Sequence, residues 1–147
     1  MKELHGQASG EVRASAEQCF ALLADVEGYP SWYPQVVRRA EALESGRARV
    51  TLHVAQGPLV RDFDLLFDVH TSRPERVELA RVPHDRSDPE RFEVSWLIEP
   101  SAAGARLQLR LYGKLSLPRL LPIGGAAEGI VSGFLAAATK ALSGAQA

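Results

Sequence analysis

A single cysteine, Cys19, is present among the 147 residues, so no disulfide can form within the chain. Cys19 falls inside a predicted amphipathic helix, where a free cysteine usually acts as a small buried apolar side chain. A catalytic thiol needs a nearby base or a helix N-terminus to lower its pKa, and the local sequence offers neither. The fold must therefore rest on a hydrophobic core, and we expect a single domain spanning residues 1–147.

The sequence also lacks an excess of either charge, since 17 Lys and Arg oppose 18 Asp and Glu for a net charge of −1. Nucleic-acid binding needs a clustered basic excess, so no nucleic-acid partner is expected. No run of about 18 apolar residues is present that could span a membrane, and residues 1–10 lack the apolar core of a signal peptide. We expect a cytoplasmic protein without stable membrane insertion.

Spacings typical of metal ligands are absent as well. The four histidines are scattered along the chain: His5, His53, His70 and His84. Asp62, Asp64 and Asp68 share one face of a predicted strand, but they alternate with apolar residues and are expected to face solvent. We therefore predict no metal site and no cofactor.

Apolar and polar residues alternate with a period of two over most of residues 36–111, in short segments separated by Gly, Pro or charged turns. Val50, Leu52 and Val54 show the pattern clearly. Connections of hairpin length indicate antiparallel strands that neighbour one another in sequence. With a short strand at residues 4–12, about seven strands are predicted.

Helical patterns flank this region. Ser15 and Gln18 form a capping-box pattern at the start of a helix that stops before Gly28. Pro30 and Pro34 allow at most one helical turn between them. A long C-terminal helix is predicted from apolar residues spaced three and four apart: Ala127, Ile130, Val131, Phe134, Leu135, Ala138 and Leu142. Helices segregated from an antiparallel sheet give an α+β fold, in which the sheet must cover the apolar stripe of the long helix.

Three segments of this chain match the opening of a known family: Ala14–Glu17, Leu22–Asp25 and Tyr29–Pro34. Together with the order of elements, they resemble the START-like superfamily, also called SRPBCC, which includes polyketide cyclase/dehydrase and lipid-transport proteins. The family usually has proline at the position of Ser15. Serine also suits this position, because it is a good helix N-cap. The resemblance implies a helix-grip fold: a curved antiparallel sheet of about seven strands wrapped around a long C-terminal helix, with two short helices after the first strand.

Family members hold ligands between the sheet and the C-terminal helix, so the resemblance implies a ligand site there. The coenzyme-Q-binding branch usually has Phe-x-Pro-Trp after the Tyr-Pro, and Trp32–Gln35 departs from that pattern. The inward strand positions between residues 50 and 111 carry no titratable side chain, whereas general acid–base catalysis requires one. We therefore expect a carrier or sensor of a small hydrophobic molecule such as a lipid, quinone or polyketide-like compound. The predicted ligand-binding residues are Trp32, Phe63, Phe67, Trp96, Leu109, Ile130 and Phe134.

Three alternatives stay open. A filled apolar core without a ligand would show the same strand pattern. A polyketide cyclase/dehydrase-like enzyme would need a polar group that reaches inward, and the candidates are Tyr33, Tyr112, His84, Arg119 and Glu128. A protein-interaction module without a ligand would use the apolar, proline-broken segment Leu115–Ile123.

Glycines recur every four residues along the predicted C-terminal helix, at Gly125, Gly129 and Gly133. Such a row either lets the helix approach the sheet closely or leaves room for a ligand. We predict that Gly129→Leu lowers ligand affinity more than it lowers stability, which paired binding and thermal-unfolding measurements would check. Unchanged affinity with a lower melting temperature would show that the row serves packing alone.

Overall fold

Seven antiparallel strands form one curved sheet in the computed structural model, which describes residues 2–118 and 120–144. The strands are β1 (Lys2–Val12), β2 (Val37–Leu43), β3 (Arg47–Gln56), β4 (Leu59–Ser72), β5 (Arg76–Arg81), β6 (Arg91–Ser101) and β7 (Gly104–Leu115). The helices are α1 (Ala16–Ala24), α2 (Tyr29–Trp32) and α3 (Ala126–Gly144), with short 3-10 turns at Val26–Gly28 and Glu44–Gly46. The predicted α+β helix-grip architecture is confirmed.

The strand order is β1-β7-β6-β5-β4-β3-β2, so β2 to β7 follow one another as a meander. This order confirms that strands close in sequence are neighbours in the sheet. β1 pairs with β7 rather than with β2, from Lys2 opposite Leu115 to Val12 opposite Ala105. The pairing is long-range because α1 and α2 occupy the chain between β1 and β2.

The two short helices form where their sequence signals predicted them. The Ser15 hydroxyl accepts from the Gln18 amide at 3.1 Å, and the Gln18 side chain accepts from the Ser15 amide at 2.9 Å. This confirms the capping box. The Tyr29 hydroxyl donates to the Leu23 carbonyl at 2.6 Å, which ties α2 to the end of α1. Cys19 is buried within α1, and burial raises the pKa of its thiol to about 11, so the thiol stays protonated.

The two faces of the sheet differ in the way that the alternation predicted. Apolar side chains of the inner face are buried beneath α3. On the outer face Asp62 and Asp64 are exposed and Asp68 is half-buried. Each contacts a side chain of β3 in a cross-strand pair: His53 with Asp62 at 2.6 Å, Arg49 with Asp64 at 3.8 Å and Arg47 with Asp68 at 3.0 Å. These aspartates therefore belong to a solvated surface.

α3 packs most extensively on β1 and also contacts β7 and β3. The approach to β1 is close at Gly6, where an added Cβ would lie 2.7 Å from the Ala127 carbonyl oxygen. Any larger residue there must push strand and helix apart, because the nearest atoms are backbone. No helix within the described residues is long and apolar enough to cross a membrane.

Gly6→Ala is expected to lower the free energy of unfolding by about 1–3 kcal/mol, the usual cost of overpacking a tight contact. Gly10→Ala is the matched control, because it lies on the same strand and its added Cβ would sit at an ordinary 3.7 Å from the Leu135 side chain. Urea unfolding of both variants measures the difference. Equal stability of the two variants would contradict a close β1–α3 contact at Gly6.

Candidate functional site

An internal cavity of about 40 Å³, here called the inner cavity, lies between the inner face of the sheet and α3. Its wall is apolar throughout and carries no charged side chain among the described residues. The lining residues are Val26, Tyr29, Val37, Val50, Leu52, Phe67, Leu79, Phe92, Val94, Trp96, Leu109, Leu111, Ile130, Val131 and Phe134. The fold thus concentrates its apolar interior around one site.

The inner cavity is much smaller than the roughly 300–1,000 Å³ of typical small-molecule sites. The sequence left open whether the interior is a filled core or an open pocket. The volume of the inner cavity is intermediate between those two cases. The interior is nearly filled by its own side chains. A ligand larger than a few atoms can be accommodated only if some of those side chains move.

Five of the seven predicted ligand-binding residues line the inner cavity: Phe67, Trp96, Leu109, Ile130 and Phe134. The other two do not. Phe63 is buried beside the cavity wall, with its ring centroid 5.9 Å from that of Phe92. Trp32 is half-buried, 4.9 Å from the Tyr29 ring, and its indole N–H has no acceptor among the described residues. Alternation identified the inward face but not the depth of each side chain within it.

Tyr29 is a lining residue that strand periodicity could not reveal, because it lies on α2. Burial raises the pKa of its phenol well above the ordinary value, and the nearby Trp96 indole opposes only part of that shift. The Trp96 N–H does not reach hydrogen-bond geometry with the hydroxyl and lacks an acceptor among the residues described. With its own proton donated to the Leu23 carbonyl, Tyr29 stays neutral and serves as a wall residue.

A second cavity of about 210 Å³, here called the outer cleft, lies between the α2–β2 connection, the end of β3 and α3. It is lined by Tyr33, Gln35, Val36, His53, Val54, Ala55, Gln56, Ile130 and Phe134. Ile130 and Phe134 line both cavities. These two side chains of α3 therefore form the partition between the inner cavity and the outer cleft.

Of the predicted glycine row, only Gly129 and Gly133 lie within α3, because the helix begins at Ala126 and Gly125 precedes it with a φ of +83°. Both glycines of the helix contact polar side chains of the outer cleft. The Tyr33 hydroxyl lies against Gly133, and the Gln56 side-chain amide lies against Gly129. A Cβ at either glycine would collide with these atoms. The Tyr33 ring also meets the Phe134 ring edge-on, with centroids 4.8 Å apart, and burial raises the pKa of the Tyr33 phenol. The row thus lets two polar side chains pack against the helix beside the partition.

His53 adds an imidazole to the outer cleft. Its Nδ1 lies 2.6 Å from a carboxylate oxygen of Asp62 across the β3–β4 pair. This contact orients the ring at the edge of the cleft. The scattered positions of the histidines in the sequence gave no signal of this arrangement, which depends on strand register.

Most polar candidates for catalysis lie away from both cavities. Tyr112 packs against His5 on the outer face of the sheet, with ring centroids 4.9 Å apart. Glu128 is exposed and accepts from the Gln7 amide at 3.4 Å. His84 is exposed on the β5–β6 loop. Arg119 lies outside the described residues. Tyr33 alone among the described candidates lines either cavity.

Solved structures from several organisms share this architecture. A START superfamily protein from Mycobacterium smegmatis superposes with a TM-score of 0.73 at 18% identity, covering 96% of this chain and 97% of that chain. A protein from Thermus thermophilus gives 0.72 at 21% identity, covering 99% and 100%. The Zhui aromatase/cyclase from Streptomyces gives 0.66 at 19% identity, covering 97% and 94%. At these identities the likeness shows the fold alone.

A comparison with curated proteins found no match. The family described as "Polyketide cyclase / dehydrase and lipid transport" matches residues 12–138, which include α1, α2, strands β2 to β7 and most of α3. The match therefore extends over six of the seven strands, the partition residues and both cavities. The chain belongs to this polyketide cyclase/dehydrase and lipid-transport family of START-like proteins.

Proposed function

We propose that the protein binds a small hydrophobic molecule, such as a lipid, quinone or polyketide-like compound, between the sheet and α3, as a carrier or sensor. The observation that carries the proposal is the inner cavity, whose apolar wall is built by α3 and the strands together. The predicted residues Phe67, Trp96 and Leu109 contribute to that wall. Such a wall favours an apolar ligand because it offers no compensation for a buried charge.

Binding requires the partition to move, since the inner cavity measures only about 40 Å³. Rotation of Phe134, which is half-buried, would join the inner cavity to the outer cleft. The loss of its edge-on contact with Tyr33 costs about 0.5–1.5 kcal/mol. Burial of about 150 Å² of apolar ligand surface contributes roughly 4 kcal/mol. Ligand burial thus exceeds the loss of this ring contact.

The same wall argues for binding rather than a cyclase or dehydrase reaction. General acid–base chemistry needs a positioned proton donor or acceptor with a pKa near the operating pH. The phenol of Tyr29 is the one ionisable group among the described lining residues of the inner cavity. Its raised pKa and its bond to the Leu23 carbonyl keep it protonated and engaged.

Leu109→Phe is expected to fill the inner cavity and to lower the affinity for the neutral fluorescent probe N-phenyl-1-naphthylamine about tenfold or more, equivalent to at least about 1.4 kcal/mol. Leu107→Phe is the matched control, because Leu107 is fully buried on the same strand and face but does not line the cavity. Fluorescence titration measures the affinity, and urea unfolding measures the stability. The control should bind the probe within about twofold of the wild type.

The two leucine variants should rank the other way in stability: Leu107→Phe should lower the free energy of unfolding more than Leu109→Phe does. Leu109→Phe has space to fill, whereas Leu107→Phe meets a closely packed core and should cost about 1–3 kcal/mol. A milder pair, Val131→Ile against Val12→Ile, repeats the comparison with one added methylene, since only Val131 lines the cavity. Probe binding that is absent in the wild type, or equal in both members of each pair, would refute ligand binding at the inner cavity.

A further inference from the structure

We propose that the outer cleft receives an uncharged, hydrogen-bonding end of the ligand, while the apolar part of the same molecule occupies the inner cavity. This inference rests on the proposed function and narrows the ligand class to neutral amphipathic molecules, such as those that bear a hydroxyl, ketone, ester or amide. It is carried by the side chains of the cleft, by their lack of partners and by their position beside the partition.

The polar groups that line the outer cleft are neutral groups that both donate and accept hydrogen bonds. They are the Tyr33 hydroxyl, the amides of Gln35 and Gln56, and the His53 imidazole. Among the described residues, no Lys, Arg, Asp or Glu lines the cleft. A charged ligand end would lose water there without gaining an opposite charge, which is costly, whereas a neutral polar end can exchange its hydrogen bonds with water for hydrogen bonds with protein.

His53 brings no uncompensated positive charge to the cleft. Its Nδ1 contacts the Asp62 carboxylate at 2.6 Å, so a protonated His53 forms a neutral pair with Asp62. When His53 is neutral, its Nδ1–H donates to the Asp62 carboxylate, which can only accept, so Nε2 is left to accept a hydrogen bond from a ligand. The Nε2 atom therefore accepts from a neutral ligand group when the ring is neutral and donates to it when the ring is protonated.

Two of these polar groups have no partner within the part of the chain that the structure describes. Neither the Tyr33 hydroxyl nor the Gln56 amide makes a hydrogen bond there. Gly133 and Gly129 allow the two groups to lie against the surface of α3, where a Cβ would displace them. Both groups therefore line the cleft next to Ile130 and Phe134, half-buried and free to exchange hydrogen bonds with water for hydrogen bonds with a ligand.

The volumes assign the two parts of the ligand to the two sites. The outer cleft measures about 210 Å³ and the apolar inner cavity about 40 Å³. An apolar group that displaces Phe134 enters the inner cavity, and the group attached to it then lies within reach of Tyr33 and Gln56. A ligand without a polar end would leave these groups facing it unpaired.

The test compares three probes with one ring system at neutral pH: naphthalene, 2-naphthol, which is neutral there, and 2-naphthoate, which is ionised. Equilibrium dialysis against the full chain measures each affinity. We expect 2-naphthol to bind about three- to tenfold more tightly than naphthalene, the range of one net neutral hydrogen bond, and 2-naphthoate to bind less tightly than 2-naphthol.

Variants identify the groups responsible. Tyr33→Phe and Gln56→Met should each lower the affinity for 2-naphthol several-fold and leave naphthalene unchanged. Tyr112→Phe, on the outer face of the sheet, is the matched control and should alter neither. Parallel losses for both probes in the cleft variants would show a packing effect and overturn the inference.

Other outcomes separate this inference from the proposed function. If naphthalene binds and Leu109→Phe weakens its binding, but 2-naphthol binds no more tightly than naphthalene, the proposed function stands and the inference fails. If 2-naphthoate binds most tightly, the cleft recognises an anion and the neutral class is wrong. If none of the three probes binds, the proposed function fails together with the inference.

Discussion

Burial of the apolar stripe of α3 against the inner face of the sheet is the constraint on which the rest of the structure depends. Ile130, Val131 and Leu142 are buried there, and each contributes about 1.5–3 kcal/mol. The approach is close at Gly6 of β1, where an added Cβ would lie 2.7 Å from the Ala127 carbonyl oxygen. The same approach determines how little space remains inside, so the packing of α3 defines the inner cavity as well as the stability of the fold.

The glycine row has a second role in this arrangement. Each glycine in a helix interior costs about 1 kcal/mol relative to alanine. Close packing of the helix against its neighbours can offset that cost. At Gly129 the neighbour is the side-chain amide of Gln56, the last residue of β3, and at Gly133 it is the hydroxyl of Tyr33. The helix therefore joins an apolar interior to a polar rim along one surface, and Ile130 and Phe134 divide the two.

Much of the fold could be predicted because local patterns determine it. The alternation of Val50, Leu52 and Val54 identified the inner face, and the Ser15–Gln18 pair marked the first helix. The site could be predicted only in part. Alternation does not give depth, so Phe63 and Phe67 looked equivalent although only Phe67 lines the cavity. The contacts of His53 with Asp62 and of Gln56 with Gly129 depend on register and helix placement, which no local pattern encodes.

The pairing of β1 with β7 has a consequence for how the chain reaches this structure. Lys2 lies opposite Leu115, so the partners are separated by 113 residues (115 − 2). During synthesis β1 must remain without its partner until β7 has left the ribosome, and α3, its other main contact, follows later still. Contacts so distant in sequence slow folding and expose unpaired strand edges meanwhile. The α3 wall of the inner cavity therefore cannot form until the C-terminal segment has been synthesised. A chain interrupted before β7 leaves β1 as an unpaired strand with a tendency to aggregate.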